Sequence, residues 1–261
     1  MKRDLKIIGV IPAHLNSVRF RRKILHDILG IPMIEHVRRR AIKSGFLNKV
    51  YVATGDNEIL DVVSGYGGSV LKTIESHSNG TSRVAESIKS KDCSHVLIIQ
   101  GDEPLIQFNH IKNMVDAIAK KPNIDAFNSI SKLLSEEELS KINTVKAAIN
   151  EQNRILYCFR KSPSYSDFIN QKNYIRKIQG LIAFKKNSLL KISKLPAPQC
   201  EIYESIEQLR IISHGLNLFG VFQDNQVPSI NEKIDLDEYF LYLENNIFEN
   251  KITSEILQNK Y

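Results

Sequence analysis

Short, unbroken apolar runs that stop at a turn constrain this chain most. Lys6-Ile7-Ile8-Gly9-Val10-Ile11 is closed by Pro12, and His95-Val96-Leu97-Ile98-Ile99-Gln100 runs into Gly101-Asp102-Glu103-Pro104. Neither alternates between apolar and polar residues, the pattern of a strand buried on both faces inside a parallel sheet. Between them Pro32 opens a helical pattern with Met33, Ile34, Val37 and Ala41 on one face, ending near Gly45. Val50 to Thr54 reads as a strand, Asn57 to Ser64 as a helix, Ser69 to Leu71 as a short strand, and Thr81 as the N-cap of a helix reaching Ser90. A further helix is expected from Phe108 to Lys120. Strands alternating with helices of this length predict βαβ units.

The second half changes character. Val145 to Ile149 and Ile155 to Phe159 flank Asn150-Glu151-Gln152-Asn153, which predicts a hairpin. Strands are expected at Gly180 to Phe184 and Leu216 to Phe222, a helix at Tyr203 to Ser213, and a terminal helix at Asp235 to Glu249. No repeat, low-complexity tract or Pro/Gly linker separates the halves. The expectation is one α/β domain over 1–261 with a mixed subdomain contributed by about 145–222. Hydrophobic residues make up 42% and charged residues 25%, which excludes disordered and fibrous classes. No apolar run reaches the roughly 20 residues of a spanning helix, and a cytoplasmic protein is expected. Three widely spaced cysteines, Cys93, Cys158 and Cys200, form neither a disulfide framework nor a zinc motif.

The net charge of +7 hides an asymmetry: Met1 to Val50 holds 12 basic and 3 acidic residues. Arg19, Arg21, Arg22 and Lys23 crowd the loop after the first strand. In an open parallel sheet ligands bind beyond the carboxyl ends of the strands. Guanidinium forks and a compact ammonium there suit a polyphosphate, the alternative being a solvated basic loop or a nucleic-acid patch. Asp102 and Glu103 leave the strand at His95 to Gln100 on the same edge, where Mg²⁺ bound to a nucleotide would find a carboxylate; the alternative is a polar turn. Arg38, Arg39 and Arg40 are expected on a solvated helix face. No G-x-G-x-x-G, G-x-x-x-x-G-K-[ST], G-x-S-x-G or H-E-x-x-H motif is present, which disfavours dinucleotide, P-loop, serine-hydrolase and zinc-protease chemistry.

Several stretches carry a family resemblance. They are Ile11-Pro12-Ala13 with Ser17, Arg19 and Lys23; Gly30 to Ile34 with His36-Val37; Val52-Ala53-Thr54; Gly80-Thr81 with Arg83 to Glu86; and above all Gln100 to Ile106 and Glu204 to Arg210. The chain resembles the 3-deoxy-manno-octulosonate (Kdo) cytidylyltransferases within the wider group of sugar-acid cytidylyltransferases. The resemblance implies a Rossmann-like, mostly parallel sheet of nucleotide-diphospho-sugar transferase type with a dimerisation subdomain. It further implies CTP and an acidic 3-deoxy sugar as partners, Mg²⁺ as cofactor and a homodimer, with neither nucleic acid nor membrane, in lipopolysaccharide or capsule synthesis.

Carried over position by position, the resemblance makes Arg19, Lys23 and Asp102 catalytic. Ala13, Ser17, Arg19, Lys23, Ser78, Gly80 and Arg83 become nucleotide-binding, Gln100, Arg160, Glu204 and Gln208 sugar-binding, and Asp102 with Asn231 metal-binding. The sequence departs from the family in identifiable places. His14 replaces an arginine, Arg21-Arg22 a Pro-Gly pair, Gly55 an aspartate, Ser82 a glutamate, Ile178 and Gln179 stand where a histidine is missing, and Asn231 takes the place of the second metal carboxylate. Two alternatives stay open: an enzyme for another acidic sugar, such as 8-amino-Kdo or a nonulosonic acid, and a nucleotide-binding protein without turnover.

Overall fold

The computed structural model describes residues 5–74 and 76–258. The chain forms two compact units, the first running to Val115 and resuming at Val227, the second comprising Asp116–Gln226.

The first unit opens with β1 (Ile7–Pro12), then a two-stranded ribbon of β2 (Asp27–Ile28) and β3 (Ile31–Pro32), followed by α1 (Met33–Lys43), β4 (Lys49–Thr54), α2 (Asn57–Gly65), β5 (Val70–Lys72), α3 (Gly80–Ser87), β6 (His95–Ile98) and α4 (Phe108–Lys120). Its sheet has the order β6-β1-β4-β5, every pair parallel. The apolar runs account for this. Ile8, Val10 and Ile11 of β1, Val52 and Ala53 of β4 and Val96 to Ile98 of β6 are buried, and Met33, Ile34, Val37 and Val84 from α1 and α3 are buried with them. Fully apolar strands need cover on both faces.

α4 carries the chain into the second unit, formed by β7 (Ala126–Lys132), α5 (Glu136–Ser140), β8 (Lys146–Ile149), β9 (Ile155–Phe159), α6 (Phe168–Gln171), β10 (Ile175–Lys185), α7 (Lys186–Ile192), α8 (Gln199–Glu204), α9 (Gln208–Ser213) and β11 (Leu218–Phe222). The order is β11-β7-β10-β8-β9, with only β11 and β7 parallel. The expected hairpin is β8 and β9. β7 was not expected, because Asn128, Ser129 and Ser131 interrupt its apolar run, yet all three are buried. The helix expected at Tyr203 to Ser213 is instead two, broken where Ser205 takes φ 53. Cys158 is buried and its thiol is pushed up to about 12 by desolvation, which leaves it inert.

The last segment, α10 (Asp235–Asn245) and α11 (Ile247–Gln258), belongs to the first unit. One terminal helix was expected; Asn246, at φ −127 and ψ 86, divides it. α3 is capped by Asn79, whose side chain accepts from Ser82 N, rather than by Thr81. The larger correction concerns Arg38, Arg39 and Arg40, which are buried rather than solvated. Arg38 grips Glu35 with two bonds of 2.7 Å, Arg39 donates to Glu35 and to Ile256 O, and Arg40 donates to Glu249 and Thr253 of α11. Three consecutive helical residues sweep about 200° of arc, so α1 is enclosed on nearly every side. No helix among the described residues is long and apolar enough to cross a membrane.

Candidate active site

The carboxyl ends of β1, β4 and β6 lie on one edge of the first unit's sheet. Ala13 N donates to Ala53 O at 2.9 Å, extending the ladder one residue past β1 before the chain turns away. Leu15 N then donates to Asp56 Oδ2 at 3.1 Å, which fixes the start of the basic loop. Arg22 sits at φ 59 and ψ 24, in the left-handed region. The resemblance places a glycine at this position, and this chain fills the left-handed conformation with a side chain that costs about 1 kcal/mol there. An ion pair between Arg22 and Glu58 holds the residue in place.

The turn at Lys23–Leu25 delivers Lys23 Nζ to Asp102 Oδ2 at 2.8 Å and to Ile230 O at 3.1 Å. Gly101 leaves room beside this contact for Ile24, whose Cδ1 would lie 2.8 Å from a Cβ there and would have to shift. Ile230 N donates to Asp102 O at 2.9 Å, which sets the segment bearing Asn231 beside the end of β6. Lys23, Asp102 and the Asn231 segment therefore converge. Glu232 is 3.5 Å from Arg19, and Asp235 accepts from Asn231 N and Glu232 N. Both carboxylates that could stand in for the missing one are thus engaged.

Gly80 lies over Pro12, where a Cβ would come within 3.0 Å of the ring, so the start of α3 rests on the end of β1. Ser78 is exposed at this edge, whereas Arg83 is buried and donates to Thr73 Oγ1 at 2.8 Å. Desolvation lowers the Arg83 pKa despite Asp56 and Glu86 nearby. His77 braces the loop before α3. Its Nδ1 is 3.2 Å from Ser82 Oγ, and its Nε2 is 2.7 Å from Glu86 Oε2 in poor hydrogen-bond alignment. Glu86 also accepts from Ile74 N.

His14 is pushed below its ordinary value by desolvation and then by the Arg83 guanidinium, with Lys23 adding to this and Asp56 and Asp102 opposing it. At neutral pH it is uncharged where the family has a permanent cation. Replacing it by arginine is expected to lower the KM for CTP about tenfold at pH 8, the scale of one charge-assisted hydrogen bond. A bound triphosphate favours the protonated ring, so the wild-type KM should fall as pH drops toward 6 while that of His14→Arg stays flat. Steady-state kinetics from pH 6 to 8.5 check this; parallel profiles would separate His14 from the phosphates.

Among the described residues no group of three or more His, Cys, Asp or Glu side chains forms a ready-made metal cage. Mg²⁺ does not need one, since it takes one or two carboxylates and completes its shell with water and substrate phosphate. The Asp102 carboxylate, partly exposed, and the Asn231 segment tied to it supply hard oxygen donors of that kind. These residues fit the ion.

In the second unit Arg160, at the end of β9, donates to Glu204 O at 2.7 Å, Ser205 O at 3.0 Å and Ile142 O at 3.1 Å. It pins the left-handed Ser205 and hence the break between α8 and α9. Glu204 ends α8 and Gln208 begins α9, and Gln208 Nε2 donates to Asn128 Oδ1 at 2.9 Å. Arg160, Glu204 and Gln208 therefore meet around one helix break. Gln100, beyond β6, belongs to the first unit.

The sequence profile of a family described as cytidylyltransferase matches residues 8–233. The chain belongs to the cytidylyltransferase family. As a cytidylyltransferase it is a nucleotidyltransferase, with relatives of similar length. It is 32% identical over 245 residues to a 3-deoxy-manno-octulosonate cytidylyltransferase of Fusobacterium nucleatum subsp. nucleatum, covering 93% of this chain and 99% of that one. It is 31% identical over 213 residues to the enzyme of the same name from Escherichia coli, covering 82% and 86%. The structure of a CMP:2-keto-3-deoxy-manno-octonic acid synthetase complexed with CTP superposes with a TM-score of 0.86 at 29% identity, covering 92% of this chain and all of that one. A 4-diphosphocytidyl-2C-methyl-D-erythritol synthase from Anaerococcus prevotii, at 15% identity and TM-score 0.62, shares the fold. The α/β fold expected from the alternating apolar runs is the fold of these enzymes.

Proposed function

We propose that this cytidylyltransferase joins CMP from CTP to Kdo, releasing pyrophosphate, in the cytoplasm and for lipopolysaccharide synthesis. The observation that carries the reading is the convergence of Lys23, Asp102 and the Asn231 segment at the strand edge, in a chain similar to Kdo enzymes over most of its length. The anomeric hydroxyl attacks the α-phosphorus, its proton is lost to solvent, and the bond to the β-phosphate oxygen breaks. Little covalent work falls to the protein, and positioning with charge neutralisation carries the rate. Lys23 and Arg19 neutralise the leaving pyrophosphate, with Ala13, Ser17, Ser78, Gly80 and Arg83 as the nucleotide's surroundings. Gln100, Arg160, Glu204 and Gln208 receive the sugar acid.

Asp102 and Asn231 would hold Mg²⁺, which supplies charge neutralisation at the phosphates when bound. The second unit's exposed Leu156, Tyr157, Ile202 and Tyr203 support a homodimer formed through it.

A coupled pyrophosphate-release assay with CTP, Mg²⁺ and a panel of 3-deoxy sugar acids tests this. Release with Kdo is expected. Release only with 8-amino-Kdo or a nonulosonic acid would reassign the sugar, and CTP binding without release from any acid would overturn the enzyme reading. The second outcome has one observation in its favour, the Ile178-Gln179 pair at the missing histidine in β10.

A further inference from the structure

Asn128 is fully buried in the middle of β7, a position where an amide is costly unless every polar atom finds a partner. It finds them. Nδ2 faces three backbone carbonyls, Gln179 O at 2.9 Å, Ser129 O at 3.0 Å and Leu181 O at 3.2 Å. Beside it, Ser129 Oγ donates to Leu181 O at 3.0 Å and accepts from Leu181 N at 3.1 Å. These bonds stand in for ladder bonds lost where the pairing of β10 with β7 shifts register between Ile178 and Ile182.

The arrangement fixes which way the amide faces. Turning it over would set an oxygen against three carbonyl oxygens in a dry interior, so Nδ2 stays with the carbonyls and Oδ1 faces Gln208. An oxygen accepts only, so Gln208 must turn its NH₂ group to it, as it does at 2.9 Å. The edge of the Gln208 amide turned away from Asn128 then carries Oε1, an acceptor.

We propose that Asn128 is a positioning residue that locks the Gln208 amide with its carbonyl oxygen toward the substrate, so that this subsite takes a hydroxyl group of the sugar acid rather than its carboxylate. The inference rests on the proposed sugar-acid reaction and adds to it the polarity of one contact. Nothing in a single sequence exposes it, since Asn128 and Gln208 are 80 residues apart.

Sugar-acid KM and CTP KM are measured for the wild type, Asn128→Val, Asn128→Thr, Gln208→Met and the double variant Asn128→Val/Gln208→Met. Asn128→Val is expected to raise the sugar KM about tenfold, the scale of the net contribution of one hydrogen bond, with CTP KM unchanged. Asn128→Thr, whose hydroxyl can still accept from Gln208, should restore it to within about threefold, and in the double variant the Val change should add nothing to Gln208→Met. A rise in both KM values, or additive effects, would mean that Asn128 serves only the strand, and would overturn the inference.

Should Asn128→Val fail to fold, Gln208→Glu probes the same contact with Asn128 intact. Its carboxylate meets Asn128 Oδ1, so the sugar KM should rise at least as far as in Gln208→Met; a wild-type value overturns the lock. If no sugar acid supports turnover, the proposed function has failed, and the orientation is read directly. The side-chain amide protons of Gln208 should exchange slowly in the wild type and in Asn128→Thr and faster in Asn128→Val, and equally rapid exchange in all three would refute it.

Discussion

Replacing Asp102 by asparagine should lower kcat by a factor of at least about 10²–10³, the range seen when one preorganised charge contact is removed from a transition state. The side chain keeps its shape, and the backbone bond from Ile230 N to Asp102 O does not involve the carboxylate, so the fold and the position of the Asn231 segment should be retained. What changes is charge. Lys23 Nζ, 2.8 Å away and largely buried, loses the anion that holds it at the strand edge, and the oxygen available to Mg²⁺ loses its negative charge. Because Asn231 is already neutral, the variant would leave this pair of proposed metal-binding residues without a carboxylate. CTP binding measured at equilibrium should weaken far less than kcat falls, since the basic loop remains. A kcat within about tenfold of wild type, at saturating Mg²⁺, would remove Asp102 from the mechanism.

The parts of this site that could be read in the sequence are those generated by short-range rules. A strand buried on both faces announces itself as an apolar run, and whatever follows it is delivered to the ligand edge of the sheet; that is why Asp102 and the basic loop were legible. The path of the loop was less so. Arg22 occupies a left-handed position that sequence marks only when glycine fills it, and Glu58, which pairs with it, lies on α2. β7 escaped because Asn128, Ser129 and Ser131 make a buried strand look polar. Their burial makes sense only with the shifted register of β10 in view, since the bonds that satisfy Asn128 and Ser129 come from carbonyls and an amide more than fifty residues downstream. The break between α8 and α9 was hidden for a similar reason. Ser205 adopts φ 53 with its carbonyl bonded to Arg160, and nothing local in Tyr203 to Ser213 forces a stop.

Arg40 gives the largest expected effect on stability, and it comes from the residues whose sequence pattern misled most. Three arginines in a row on a helix read as a solvated stripe, because a charge run is usually that. Here Arg40 is fully buried, 2.7 Å from Glu249 and 2.7 Å from Thr253 Oγ1. Glu249 is itself buried and lies 209 residues beyond Arg40, on a helix past the residues that match the family profile. Removing one partner of a buried ion pair leaves the other charge uncompensated, at a cost of about 3–5 kcal/mol. Arg40→Met should therefore lower the melting temperature by about 10 °C, given the roughly 2–4 °C per kcal/mol of a unit this size. Arg40→Met/Glu249→Leu, which removes both charges and fills the space with apolar atoms, should recover most of that loss, because desolvating the pair already offsets much of its attraction. The comparison separates two accounts of the contact. If the double variant is as unstable as the single one, packing and the Thr253 bond hold α11 to α1 and the charges are incidental. If the single variant melts with the wild type, α11 is not held by Arg40 at all, and the enclosure of α1 must rest on Arg38, Arg39 and the apolar residues Ile252 and Ile256.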